Sequence, residues 1–366
     1  MSFESGAISF RMFYAPPSLP DDALDRFAQQ SMPSLKGMGS GEVGGWVGGR
    51  HYLDVPIGEH NARYAGYLRL MYVQAAKKIP SSLFKAECKL EEYAQMQAEK
   101  KAFLKRKDRE EIRKNVEARL LPQMPPQLKG FSFVYDPNSR LVYAEALSEK
   151  QADLFKIMFI KTLSVRLIEV TPETAAAERR KIDVQDWPSV SFSPDVTDEQ
   201  VDPHVGQDFL TWLCFLSEER GGIVKIRDLG EFGVMLEGPV TFVMEGQGAH
   251  ETVLRKGMPL LSPESKTCLQ SGKKLRRARL TLARKDETWQ VTLDADLFTF
   301  RGLKLPEVDE KDPINRFQER MLRLDMFKEV FLELYDRFLD ERRDPAQWAK
   351  VLKDIHRWVA DRRIRN

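Results

Sequence analysis

From Leu83 to Leu120 the chain runs without Gly or Pro, and almost every residue is a good helix former. Pro80 precedes this stretch, and Pro122, Pro125 and Pro126 follow it, so both ends are closed by residues that interrupt helices. Leu83, Ala86, Leu90, Tyr93 and Ala94 define one apolar face. The pattern lapses around Gln97–Lys101 and resumes with Ile112, Val116 and Leu120. Asp108 followed by Glu111 resembles a capping box, so the spacing predicts two helices with a break near residues 106–108.

The flanking sequence predicts sheets. Residues 7–15 and the run YLRLMYVQA (67–75) read as strands, and residues 21–30 as a short helix. FSFVYD and RLVYAEA bracket a Pro137–Asn138 turn and read as a hairpin. The helix SEKQADLFKIMFIKTL follows it. The fold class expected is α+β: two mixed domains with antiparallel sheets, a projecting helical segment and a C-terminal helical hairpin. The expected organisation is residues 1–80 with 122–171 as an N-terminal domain and 81–121 as projecting basic helices. A proline- and acid-rich stretch at 172–206 reads as linker-like. Residues 207–310 form a second domain with a basic hairpin, and 311–366 form two amphipathic helices. Phe317, Met321, Leu324, Phe327, Phe331, Leu334 and Phe338 stripe one; Trp348, Leu352, Ile355 and Val359 stripe the other.

No apolar run approaches a membrane span, and the opening MSFESGAISF lacks the basic start and apolar core of a signal peptide. The three cysteines lie far apart, which argues against a disulfide framework or a structural zinc and fits a reducing cytoplasm. No membrane association is expected.

Net charge is +2, which by itself argues against a nucleic-acid partner. Its distribution argues otherwise. Residues 81–121 carry eleven Lys or Arg against eight Asp or Glu, and residues 271–305 carry nine against four. Lys273, Lys274, Arg276, Arg277, Arg279, Arg284 and Lys285 occur with no acid between them. Strand alternation puts Ala278, Leu280 and Leu282 on a buried face, and Arg277, Arg279, Thr281 and Lys285 on an exposed one. In the helical segment Lys101, Lys105, Arg109 and Arg113 recur every four residues, with Arg106 among them. On one helix that stripe would run about 18 Å, long enough to follow several phosphates. Neither patch is read as having interleaved aromatics, so base stacking and single-strand specificity are not expected.

Other candidates are weaker. Gly39, Gly41 and Gly44 spell GxGxxG, but no helix begins on them, so the stretch reads as a flexible loop and implies no cofactor. Asp294 and Asp296 could serve a divalent metal in a nuclease, yet their place between two strands favours a turn, and no metal is expected. His250–Glu251 lacks a second His at protease spacing, and no catalytic residue is assigned. A protein-interaction scaffold working through the C-terminal helices is the other alternative.

The order of several motifs resembles one family, the recombination-associated protein RdgC. These are GWV (45–47), KKIP (77–80), KAFLKRKDREEIRKNVEARLLP (101–122), ALSEKQAD (146–153), SGKKLRRARLTL (271–282) and RGLKL (301–305). Gly48–Gly49 stand where the family commonly has Pro–Pro, and residues 306–366 extend beyond what the family leads one to expect. The resemblance implies a non-enzymatic, ring-shaped homodimer. It would pass duplex DNA through a basic hole without sequence preference and restrain the recombinase RecA, in a cytoplasmic, nucleoid-associated role. By position, Lys105, Arg106, Arg109, Arg113 and Lys273 fall where the family is basic. Lys101 is added from helix spacing, Arg277 and Arg279 from strand alternation, and Lys274 and Arg276 as members of the acid-free basic run.

Overall fold

The computed structural model describes residues 3–39, 41–244 and 250–362. Its elements begin with β1 (Ile8–Tyr14), α1 (Ala23–Gln29), β2 (Val43–Gly48), α2 (Glu59–Ala62), β3 (Arg63–Tyr64) and β4 (Tyr67–Lys77). The helical stretch forms α3 (Ser81–Ala98) and α4 (Arg106–Leu120). Then come β5 (Pro126–Asp136), β6 (Leu141–Ala144), α5 (Glu149–Leu163), β7 (Ile168–Glu169), α6 (Pro172–Arg180) and α7 (Val205–Glu219). Strands β8 (Ile223–Ile226), β9 (Gly230–Val243) and β10 (Glu251–Leu254) precede α8 (Pro263–Gln270). Strands β11 (Lys274–Arg284), β12 (Glu287–Asp294) and β13 (Thr299–Lys304) lead to α9 (Pro313–Arg343) and α10 (Pro345–Asp361). This is the expected α+β class with antiparallel strands.

The chain divides into two compact units. The first contains Met1–Leu19, Tyr64–Tyr67 and Val134–Asn366. Its strands run in the order β10-β9-β11-β12-β13-β1-β6, with β8 on β9 and β7 on β1. Alternation in β11 and β12 buries Ala278, Leu280 and Leu282 beside Trp289, Val291 and Leu293. Helices α7, α9 and α10 supply the other half of this core. The Phe209 ring lies 5.8, 5.1 and 5.7 Å from those of Phe331, Tyr335 and Phe338. All seven residues of the predicted α9 stripe are buried, as are Trp348, Ile355 and Val359 of α10. The C-terminal extension is therefore core in this unit. Asp–Pro pairs start both helices: Asp312 accepts from Ile314 and Asn315 N–H, and Asp344 from Ala346 and Gln347 N–H.

The linker reading of residues 172–206 is corrected. Thr171 caps α6 by accepting from Thr174 N–H at 3.3 Å, and Pro172 sits in the first turn, where its missing N–H costs nothing. The Tyr335 hydroxyl donates to Pro172 O at 2.8 Å, and Arg179 pairs with Asp336 at 2.7 Å. Val184, Val190, Phe192 and Val201 are buried in the core. Pro172, which reads as an interruption, initiates a helix here, and the scattered apolar residues after it are anchors.

The second unit contains Pro20–Arg63 and Leu68–Phe133. Strand β2 pairs antiparallel with β4, and β5 follows β4 in strand order. Trp46 is fully buried, its ring 5.0 Å from Phe27, 5.1 Å from Tyr72 and 5.6 Å from Phe133. Half of the glycine-rich stretch belongs to β2, so the loop reading is corrected there. A Cβ on Gly45 would meet the Met32 backbone at 2.5 Å, and this close approach is what requires glycine.

Candidate nucleic-acid interface

The helical hairpin α3–α4 carries one of the two basic regions. Phe84, Cys88 and Met96 of α3 pack with Leu104, Ile112, Val116 and Leu120 around a small core of their own. The apolar face expected on α3 is the outer one instead: Leu90 is 64% exposed and Tyr93 59%. Helix α3 has two apolar stripes about half a turn apart, and the chain itself covers only the stripe through Phe84, Cys88 and Met96. Helix α3 ends in a Schellman turn. Lys101 N–H bonds Met96 O at 3.0 Å, Lys100 N–H bonds Gln97 O at 3.3 Å, and Lys100 takes a φ of +50°. The break between helices thus lies at residues 99–105, ahead of the predicted position. Helix α4 is capped by the Asp108 carboxylate, which accepts from Lys105 N–H at 3.1 Å.

This placement changes the cation stripe. Lys101 sits in the turn, so the helical face begins at Lys105 and continues through Arg109 and Arg113, about 12 Å at the helical rise. Lys101 pairs with Glu99 at 2.5 Å. The hydrogen bond from Lys101, then the one from Gln95, holds the Glu99 carboxyl below its ordinary range, and Glu99 in turn raises Lys101. Arg106, almost fully exposed, pairs with Glu110 at 2.9 Å. Lys105, Lys107, Arg109, Arg113 and Lys114 are exposed and form no ion pair with any described residue.

Strand β11 behaves differently. Lys274, expected to be exposed, is buried and pairs with the equally buried Asp208 at 2.7 Å. Arg276 pairs with Asp296 at 2.7 Å and Arg277 with Asp294 at 2.6 Å. Burial opposes the Arg277 charge, but its hydrogen bond and ion pair with Asp294 win, and its pKa is raised. Arg284 pairs with Glu287 at 2.5 Å. Lys273 donates to Thr252 Oγ1 at 2.7 Å, and half-buried Arg279 lies opposite Glu237 in register. Thr281, placed on the outer face by alternation, is buried, and the β9 register shifts twice around Arg277. The row of aligned, exposed cations is corrected to a salt-bridged surface on which Lys273, Arg279 and Lys285 are the cations without an acidic partner among the described residues.

The same contacts place the aspartates. Asp294 closes β12 and Asp296 lies in the turn beyond, its N–H directed at Asp294 Oδ1 at 3.4 Å. Gln207 Nε2 donates to Asp296 Oδ1 at 2.9 Å. The turn reading holds, and both carboxylates are engaged by arginines. Among the described residues no three His, Cys, Asp or Glu side chains are grouped to hold a metal ion, and no helix is long and apolar enough to cross a membrane.

Sequence reasoning assigned no role to Phe103. It stands at the α3–α4 turn, 71% exposed, in the run KKAFLKRK. The signal was present: an aromatic residue with lysines on both sides and no acid from Lys100 to Lys107.

No curated protein matches the chain. Residues 45–181 match a family model described as "RdgC: Putative exonuclease, RdgC". The resemblance drawn from motif order is borne out over that segment. At the family level it points to a recombination-associated, DNA-binding protein. The segment contains α3 and α4; β11 lies outside it.

Proposed function

With residues 45–181 similar to the RdgC family, we propose that this chain is a non-enzymatic, sequence-independent binder of double-stranded DNA. It acts as a ring-like homodimer around the duplex and modulates RecA-dependent recombination and replication from the nucleoid. The observation that carries this reading is the set of exposed, unpaired cations Lys105, Lys107, Arg109, Arg113 and Lys114 on one hairpin inside the matched segment. A charge without an acidic partner keeps its field for phosphate and releases counterions when it binds. Cations spaced along one helical face can meet phosphates at any sequence, which supports indifference to sequence. The outer stripe of α3, with Leu83, Leu90 and Tyr93 exposed, supports self-association, since such apolar rows commonly mark contact surfaces.

Light scattering with and without a duplex tests dimer and DNA binding together. The expected result is a dimer that gains one duplex per dimer at low salt. A monomer, or a dimer that fails to retain duplex at low salt, would overturn the reading and favour a scaffold working through protein contacts alone. Duplex incubated with Mg²⁺ should stay intact. Shortening that disappears in EDTA and in D294N/D296N would replace it with a metal-dependent nuclease.

A further inference from the structure

The turn between α3 and α4 combines three features that a solvated loop does not need. The first is Phe103 itself. A lone exposed apolar residue is ordinary, but this one is held outward on a fixed frame. Its neighbour Leu104 is 4% exposed and packed in the hairpin core, and the two Schellman bonds fix the backbone at Lys100 and Lys101. The side chain therefore cannot turn inward without pulling Leu104 out.

The second feature is charge. Lys100, Lys101, Lys105, Arg106 and Lys107 surround Phe103 in sequence and are exposed; Lys101 pairs with Glu99 and Arg106 with Glu110, which leaves Lys100, Lys105 and Lys107 without an acidic partner among the described residues. A protein pocket that received Phe103 would need an acidic rim to meet those three cations. A phosphate backbone meets them along its whole length.

The third feature is Lys100. It occupies the position after the α3 C-cap with a φ of +50°, where glycine is at ease and an L side chain costs about 1 kcal/mol. The chain accepts that cost and keeps a cation at the turn.

An aromatic tip ringed by cations matches one feature of duplex DNA: the apolar faces of stacked bases lie between two rows of phosphates. We propose that Phe103 is a wedge that enters the duplex between base pairs, while Lys100, Lys101, Lys105, Arg106 and Lys107 hold the flanking phosphates. Binding then unstacks a step at the contact, as apolar wedges do in minor-groove architectural proteins. The proposal rests on the DNA-binding reading above and adds to it a local deformation of the duplex. Insertion into a pre-weakened step costs less, so the protein gains a preference for mismatched over fully paired duplex with no reading of sequence.

The test uses the full-length protein, duplexes carrying 2-aminopurine, and paired duplexes with and without a central mismatch. Wild type should raise 2-aminopurine fluorescence and prefer the mismatched duplex about tenfold. F103A should still bind with the same salt dependence but lose both the fluorescence rise and the preference. F103W should restore both, with its indole emission quenched on binding. K100G should fold at least as stably as wild type and bind more weakly, because it relieves the backbone and removes a charge. Equal fluorescence and preference in wild type and F103A would overturn the wedge and leave DNA binding standing. A change in oligomeric state in F103A with DNA unstacking intact would overturn it in favour of a self-association contact. Failure of wild type to retain duplex would remove the wedge and the reading it rests on together.

Discussion

Helix α4 and strand β11 are both read from sequence as basic runs, and the fold treats them in opposite ways. Strand β11 lies between β9 and β12, with α7 packed nearby, and α7, β12 and the turn after β12 deliver acids to its cations. Asp294 reaches Arg277, Asp296 reaches Arg276, and Asp208 reaches Lys274. Helix α4 packs on α3, and its cations find partners at helical spacing, as Arg106 does with Glu110, or across the hairpin, as Arg119 does with Glu87 and Glu91 at 2.9 and 3.1 Å. Cation density along the chain therefore overstates the field wherever a sheet brings in remote carboxylates. It reports the field more faithfully on α4, where Lys105, Lys107, Arg109, Arg113 and Lys114 keep no acidic partner among the described residues.

That contrast gives graded expectations. The largest concerns Lys274. In K274M the buried Asp208 keeps only Arg342, 3.6 Å away, and unfolding free energy should fall by about 3 kcal/mol in urea titrations. DNA affinity per folded molecule should not change, and a large loss of affinity would return Lys274 to the interface. Next is K105E/R109E/R113E, which should bind duplex about 100-fold more weakly at moderate salt while its stability stays within about 1 kcal/mol of wild type. R279Q/K285Q, which removes the unpaired cations of the β11 hairpin, should weaken binding about threefold in fluorescence anisotropy. R276Q/R277Q should change affinity less than about twofold, although leaving Asp294 unpartnered costs about 1–3 kcal/mol of stability. If this last variant proved as damaging to binding as the helix triple, the distinction between the two regions would collapse.

The elements were readable where periodicity and stop signals agree. The apolar stripes of α9 and α10, the hairpin β11–β12 and the Pro-bounded helices all follow from spacing that needs no tertiary information. The break in the hairpin was displaced because Lys100 performs a turn that composition assigns to glycine, and Asp108 caps at the third position of α4 instead of its start. The covered face of α3 could not be chosen from sequence, since both stripes are apolar and only packing decides. The linker reading of 172–206 failed because proline opens a helix as readily as it ends one. As for the site, the α4 cations from Lys105 onward were legible, being exposed by default. The pairing of β11 was not, because Asp294, 17 residues from Arg277, and Asp208, on α7, are brought in by topology. Phe103 is visible in the sequence and contradicts the reading of that basic patch as free of interleaved aromatics.

The central claim is that unpaired cations on the α3–α4 hairpin carry sequence-independent duplex binding. A salt titration on two duplexes of unrelated sequence tests it most directly. If six phosphates are neutralised, log K against log salt should fall with a slope of about −5 for wild type on both duplexes, and of about −2 for K105E/R109E/R113E. A slope unchanged by the triple substitution, or one that differs between the two sequences, would contradict the claim.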